Sequence, residues 1–216
     1  MDYLGSTHEE YSMKILASCF VVIAALLPVS VAEARQTING CEIKRRTSCP
    51  GVNLSCRDLT RSNLSNANLS GADLSGANLS GDRITEANLT NANLSGANLS
   101  GTTLSISYMN NVNLSRADLS KADLSQSTLP DANLREANLV GANLSLANLK
   151  GADLTDAAAT GAVFIMANLV NANLTRADLT EATLVGADMR NAILEGTKFC
   201  RTTMPDRSIN NSGCPK

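Results

Sequence analysis

From Leu54 to Met204 every fifth residue is apolar: 31 positions in unbroken phase, 24 of them Leu. The others are Ile84, Met109, Ala159, Phe164, Met189, Phe199 and Met204. Two residues before each lies a second series, Val52 to Thr202, in which 21 of 31 members are Ala. The residue between is usually Asn or Asp, and the one after is usually Ser or Thr. A period of five matches neither the 3.6 of a helix nor the 2 of a strand. A straight helix would smear the Leu series over five faces, and a flat strand would send alternate Leu residues to opposite faces. The chain therefore turns about once per repeat. Ala beside Leu predicts a narrow interior in which backbones approach closely. The chain has no Trp and only 3% aromatic residues, so large rings do not fill that interior.

The segment Ala72 to Gly81, ADLSGANLSG, resembles the pentapeptide-repeat family, and the resemblance covers about 52–204. It implies an all-β fold, a right-handed quadrilateral parallel β-helix. Each pentapeptide forms one side of this solenoid, and four make a coil of 20 residues. The central Leu or Phe and the Ala two before it point inward. Thirty-one repeats then make nearly eight coils. At ~4.8 Å per coil the rod is ~35–40 Å long. Its stability is roughly a sum of nearest-neighbour terms.

Residues 1–34 read as a signal peptide: Met13-Lys14, an apolar run from Ile15, and the small-x-small end Ala32-Glu33-Ala34. Pro28 and Glu33 leave the run short of the ~20 residues a membrane span needs, so no span is expected in the mature chain. Asp2, Glu9 and Glu10 do not suit a signal start, which makes Met13 the alternative first residue. Cys19 follows Leu16-Ala17-Ser18 but precedes most of the apolar run, and reads as part of that run rather than a lipid-attachment site. A cap segment, 35–51, the repeats, 52–204, and a tail, 205–216, complete the organisation.

Removing 1–34 takes away Lys14 against Asp2, Glu9, Glu10 and Glu33. The full chain's 18 Lys+Arg and 20 Asp+Glu become 17 and 16, or about +1. So balanced a surface has no field to steer or mimic nucleic acid. The same cut removes His8, the sole histidine. The mature chain then holds no Ser-His-Asp set, no Cys-His pair and no His metal ligand. No catalytic residue, cofactor or metal site is assigned.

The mature cysteines sit only at the ends: Cys41, Cys49 and Cys56 in front, Cys200 and Cys214 behind. In an oxidising compartment that placement predicts stapled caps. Cys200–Cys214 would tie the tail across the last coil. The front three permit three pairings and leave one thiol free or intermolecular. Spacings of seven and six intervening residues do not match a zinc knuckle. Many Asn-Leu-Ser/Thr sequons along the repeats, from Asn53 to Asn173, disfavour passage through an endoplasmic reticulum, since glycans there would block packing. The expected location is a bacterial periplasm, a thylakoid lumen or the extracellular space.

A 20-residue coil also sorts residues into columns. Asp82 takes an inward Ala position between Ser62 and Thr102. A buried carboxylate needs partners. Those hydroxyls and Arg83 are candidates in an interior polar column, unless the corner there opens to solvent. Ser107 and Ser127 are inward on the adjacent side. Outward, Arg116, Glu136, Asp156 and Arg176 form a ladder of weak surface ion pairs. A second outward column carries Ile106, Leu146 and Met166, with Gln126 between and Ile165 and Val185 beside it. These five apolar residues are the candidate docking patch for a protein partner or a second copy.

The reading reached is a non-catalytic, exported interaction rod with an unknown protein partner or self-association. One alternative comes from the family resemblance, some members of which resemble duplex DNA and protect gyrase. Those are cytoplasmic and strongly acidic, unlike this chain. The other alternative is an exported metal-binding or enzymatic protein, which no motif here supports.

Overall fold

The computed structural model describes residues 36–215. The expected leader, its cleavage point and the Met13 alternative lie outside the described residues.

Parallel bridges join strand residues to those 20 further on, from Ser48↔Asn68 and Asn68↔Asn88 to Thr183↔Thr203, with one gap at Asn63. Backbone bonds link successive twenties on both sides of each bridge. Leu74 N donates to Asn93 O at 2.7 Å, and Asn93 N donates to Ala72 O at 2.9 Å. Those residues make strands only one bridge long because a turn intervenes every five. In most repeats the N–H of the inward residue donates to the preceding Leu carbonyl, as from Ala72 to Leu69 at 3.0 Å. The residue between Ser/Thr and Ala has positive φ, as at Gly71 (64°) and Gly76 (62°). Positive φ at the third turn position is the signature of a type II turn and favours Gly or Asn.

The remaining letters of the repeat follow from the same geometry. The Asn or Asp before each Leu accepts the N–H two residues on, as Asp73 Oδ1 does from Ser75 N at 3.1 Å. This short polar hook fixes the corner. Asn side chains also bond along the stack, Asn133 to Asn113 and Asn113 to Asn93, each at 3.1 Å. Leu and Ala meet inside: Leu54 through Leu184 and most of the Ala series are buried, with Phe164 the largest fully buried side chain. Each buried Leu contributes ~1.5–3 kcal/mol toward offsetting chain entropy.

Both ends close with an antiparallel hairpin. At the front β1 (Thr37–Ile38) pairs with β2 (Cys41–Glu42) through Asn39-Gly40, both at positive φ. Asn-Gly is the pair that such two-residue turns demand. Ile38, Cys41 and Ile43 are buried and belong to the same apolar cluster as the leucines. Cys41 is bonded to Cys49. At the back β3 (Thr202–Thr203) pairs with β4 (Ile209–Asn210), and Cys200 is bonded to Cys214. Cys56 is therefore bonded to neither front cysteine. No described cysteine is free, so the expected odd thiol is absent among them. Disulfides of this kind persist in an oxidising compartment.

The tail lies along 198–204, where Gly213 N donates to Phe199 O at 2.7 Å. It does not cover the neighbouring side. Leu194 is 39% exposed although its register is inward, because no further coil stacks on it. The inward register likewise fails to bury Arg57 at the first repeats, where Val52 and Ser62 are only half-buried.

Candidate functional site

The wall made of 122–126, 142–146, 162–166 and 182–186 departs most from the repeat. Its left-handed corner reads Ile106, Gln126, Leu146, Met166, Gly186 at successive 20-residue steps. Ile106, Leu146 and Met166 have φ of 60°, 60° and 55°. For an L-residue that conformation costs roughly 1–2 kcal/mol, and a β-branched side chain there is a true outlier. Burial does not offset that cost: Ile106, Leu146 and Met166 are 48%, 51% and 62% exposed. Ile165 is exposed beside Met166, and Val185 and Val163 are half-buried. The structure thus brings Leu146, Ile165, Met166 and Val185 onto adjacent coils. Ile106 stands two coil steps from Leu146, across Gln126. Four exposed apolar residues escaped the periodicity argument: Tyr108 just past the corner from Ile106, Val140, Ile193, and Ile209 in the tail. Tyr108 occupies an ordinary Asn position, and Ile209 lies outside the repeat.

The interior polar column has a different character. Asp82 is buried, so the corner is not open to solvent. Its Oδ2 accepts Ser62 N at 3.2 Å and Ser62 Oγ at 2.5 Å. Its Oδ1 accepts Asn63 N at 3.0 Å and Arg83 N at 2.8 Å. Thr102 does not reach the carboxylate; its hydroxyl donates to Leu79 O at 2.8 Å. Ser107 and Ser127 do the same toward Ile84 O and Leu104 O, each at 2.7 Å. Arg83 contributes its backbone N–H rather than its guanidinium. Asn63 also stands at positive φ, and the bridge series skips it. Asp82 therefore ties down a stretch of wall whose N–H groups have no ladder partner.

The charged ladder resolves into two pairs. Arg116 Nε donates to Glu136 Oε2 at 2.9 Å, and Arg176 grips Asp156 with both nitrogens at 2.7 and 2.6 Å. The Arg116 hydrogen bond holds Glu136 below the usual carboxylate range, and the Arg176 hydrogen bond does the same for Asp156. All four side chains are at least a third exposed, so these pairs are worth little in water. Among the described residues no group of His, Cys, Asp and Glu could hold a metal ion. No described helix is long and apolar enough to cross a membrane.

The family model for pentapeptide repeats matches eight copies, over residues 46–81, 87–126, 129–164 and 167–204. The chain belongs to the pentapeptide-repeat family. Its members adopt right-handed quadrilateral β-helices. Among solved structures, a trypsin-treated form of QnrB1, a plasmid-mediated fluoroquinolone resistance protein, is 16% identical. It covers 70% of this chain and 88% of its own, with a TM-score of 0.52. HetL is a pentapeptide-repeat protein involved in heterocyst differentiation regulation in the cyanobacterium Nostoc. It is 28% identical over 76% of this chain and 91% of its own, with a TM-score of 0.39. A pentapeptide-repeat protein of the Arabidopsis thaliana thylakoid lumen is 31% identical over 51% of this chain and 66% of its own, with a TM-score of 0.23. At this identity QnrB1 speaks for the fold alone. No curated protein matches the chain.

Proposed function

We propose that this pentapeptide-repeat protein is a non-catalytic interaction rod, exported to a periplasm, a thylakoid lumen or the cell exterior. Its repeats make a right-handed quadrilateral β-helix of nearly eight coils, and one wall docks another protein. The observation that carries this reading is the placement of Ile106, Leu146 and Met166, apolar, exposed and at positive φ. Each weakens the fold locally and none fills the core. Charged residues such as Arg116 and Glu136 take the same φ at the same turn position elsewhere, so what sets these three apart is an exposed apolar column, which is accounted for by what it touches outside the chain. The end disulfides, Cys41–Cys49 and Cys200–Cys214, support export. The near-neutral mature charge argues against the gyrase-binding alternative. Replacing Leu146 and Met166 together with Ser tests the reading. Cross-linking in the native host should lose its products while the thermal midpoint stays within a few degrees of the parent. Products that survive the double change would move the docking surface elsewhere.

A further inference from the structure

We infer that the occupant of this wall is a second copy of the same chain, packed wall to wall with the two coil stacks antiparallel. The inference rests on the docking reading above and names its partner.

Residues 20 apart share a column, so a two-fold axis lying in the wall, across the coil direction, sets each column against its own reverse. Such an interface is self-complementary only if each column reads sensibly against itself. Centred between the coils of Leu146 and Met166, the two corner columns do, while in the strand columns Asn143 meets Val163 and Ser145 meets Ile165. In the left-handed corner column Leu146 meets Met166 of the other copy, and Gln126 meets Gly186, against which the Met166 side chain of that same copy lies. In the strand column Asp123 meets Thr183. The Oδ1 of Asp123 is already taken by Ser125 N and Asn143 Nδ2. Its Oδ2 has no partner among the described residues and can accept the Thr183 hydroxyl. In the opposite corner column Lys121 meets Glu181, with Gly141 and Gly161 between them. Lys121 makes no ion pair among the described residues, whereas Glu181 is paired only with Arg201 of its own chain.

The same axis carries Ile106 to the segment around Asp206, where a shallow cavity is lined by Met204, Pro205 and Ile209 together with the polar Asp206, Ser208, Asn210 and Asn211. Ile106 and Ile209, 48% and 57% exposed, are otherwise without apolar cover. One operation thus pairs opposite charges, a donor with an acceptor, and Leu146 with Met166. An extended peptide is a poorer occupant. The wall's backbone N–H and C=O groups are spent between coils, so it offers no edge for strand addition. A flat wall is best matched by another flat wall.

Sedimentation equilibrium of the protein recovered after export of the full chain tests this, from roughly micromolar to several hundred micromolar. The weight-average mass should climb with concentration toward twice the monomer's. Met166→Glu should hold it at the monomer mass, with the circular dichroism spectrum and thermal midpoint of the parent. Lys121→Glu alone and Glu181→Lys alone should each weaken the dimer about tenfold, by setting like charges together. The double exchange should restore it. A dimer that withstands Met166→Glu, or a double exchange that restores nothing, overturns the antiparallel pairing. A parent that stays monomeric at every concentration overturns self-pairing altogether. The docking reading would still stand if host cross-links vanish in the Leu146/Met166 double Ser variant.

Discussion

Asp82 and Met166 lie on the same wall, and both break the same monotonous repeat. Around Asp82 the break is inward, and the structure answers it completely: the carboxylate takes four hydrogen bonds from Ser62, Asn63 and Arg83. Around Met166 the break is outward and the structure answers it only with Gly186, against which the side chain lies. The side chain is 62% exposed at a φ of 55°. An irregular residue that the fold satisfies is accounted for by the fold. One that the fold pays for without return points outside it.

The comparison can be broken by measurements of graded size. The baseline is the regular core: Leu124→Ala should cost ~2–5 kcal/mol in urea unfolding, since Leu124 is wholly buried and the narrow stack has little room to collapse. Asp82→Ala comes next. It restores the commonest residue at that position, yet it should destabilise by ~1–3 kcal/mol because the Asn63 N–H and the Ser62 hydroxyl lose their acceptor. A neutral or stabilising result would mean that Asp82 is no structural tie, and the two halves of the wall would no longer differ. Met166→Gly should have the opposite sign. Removing a side chain from the left-handed region should raise stability by up to ~1 kcal/mol while association is lost. A loss of stability there would show that Met166 serves the fold after all.

The smallest expected effect concerns acid. Burial raises Asp153 and Asp178, but hydrogen bonds from Thr155 and Arg135, and from Thr180 and Lys198, outweigh it and leave both lowered. Carboxylates lowered on folding stabilise fully above their unfolded value near ~4, and that contribution disappears as pH falls through the lower folded values. The thermal midpoint should therefore be flat through neutral pH and fall only in that acid range. The fall should be shallow for the exposed Arg116–Glu136 and Arg176–Asp156 pairs, and shallower still in salt. A midpoint that drops near neutral pH would contradict these assignments.

The repeat made most of the fold legible because each letter has one job. Leu and Ala fill the interior, Asn or Asp hooks the corner, and the fifth residue must take positive φ. The ends were less legible. Cysteine positions announced stapling, but only the hairpin through Asn39-Gly40 decides that Cys41 takes Cys49. Leu194 shows the limit of register, since a sequence period does not say where stacking stops. The interior column was half legible. Column arithmetic put Ser62 beside Asp82, but it could not foresee that Thr102 would turn to the Leu79 carbonyl instead. Tyr108 and Ile209 were missed because exposure at an Asn position or in a tail leaves no periodic mark.

Every column argument depends on coils stacked 20 residues apart, and pulsed electron paramagnetic resonance reads that spacing directly. With nitroxides at Gly76 and Arg176, five coil steps apart on one column, the mean distance should be ~24 Å. Moving the second label from Arg176 to Gly196 should lengthen it by ~5 Å, one further step. A mean distance that stays put or shortens on that move would contradict the stacking, and with it the wall.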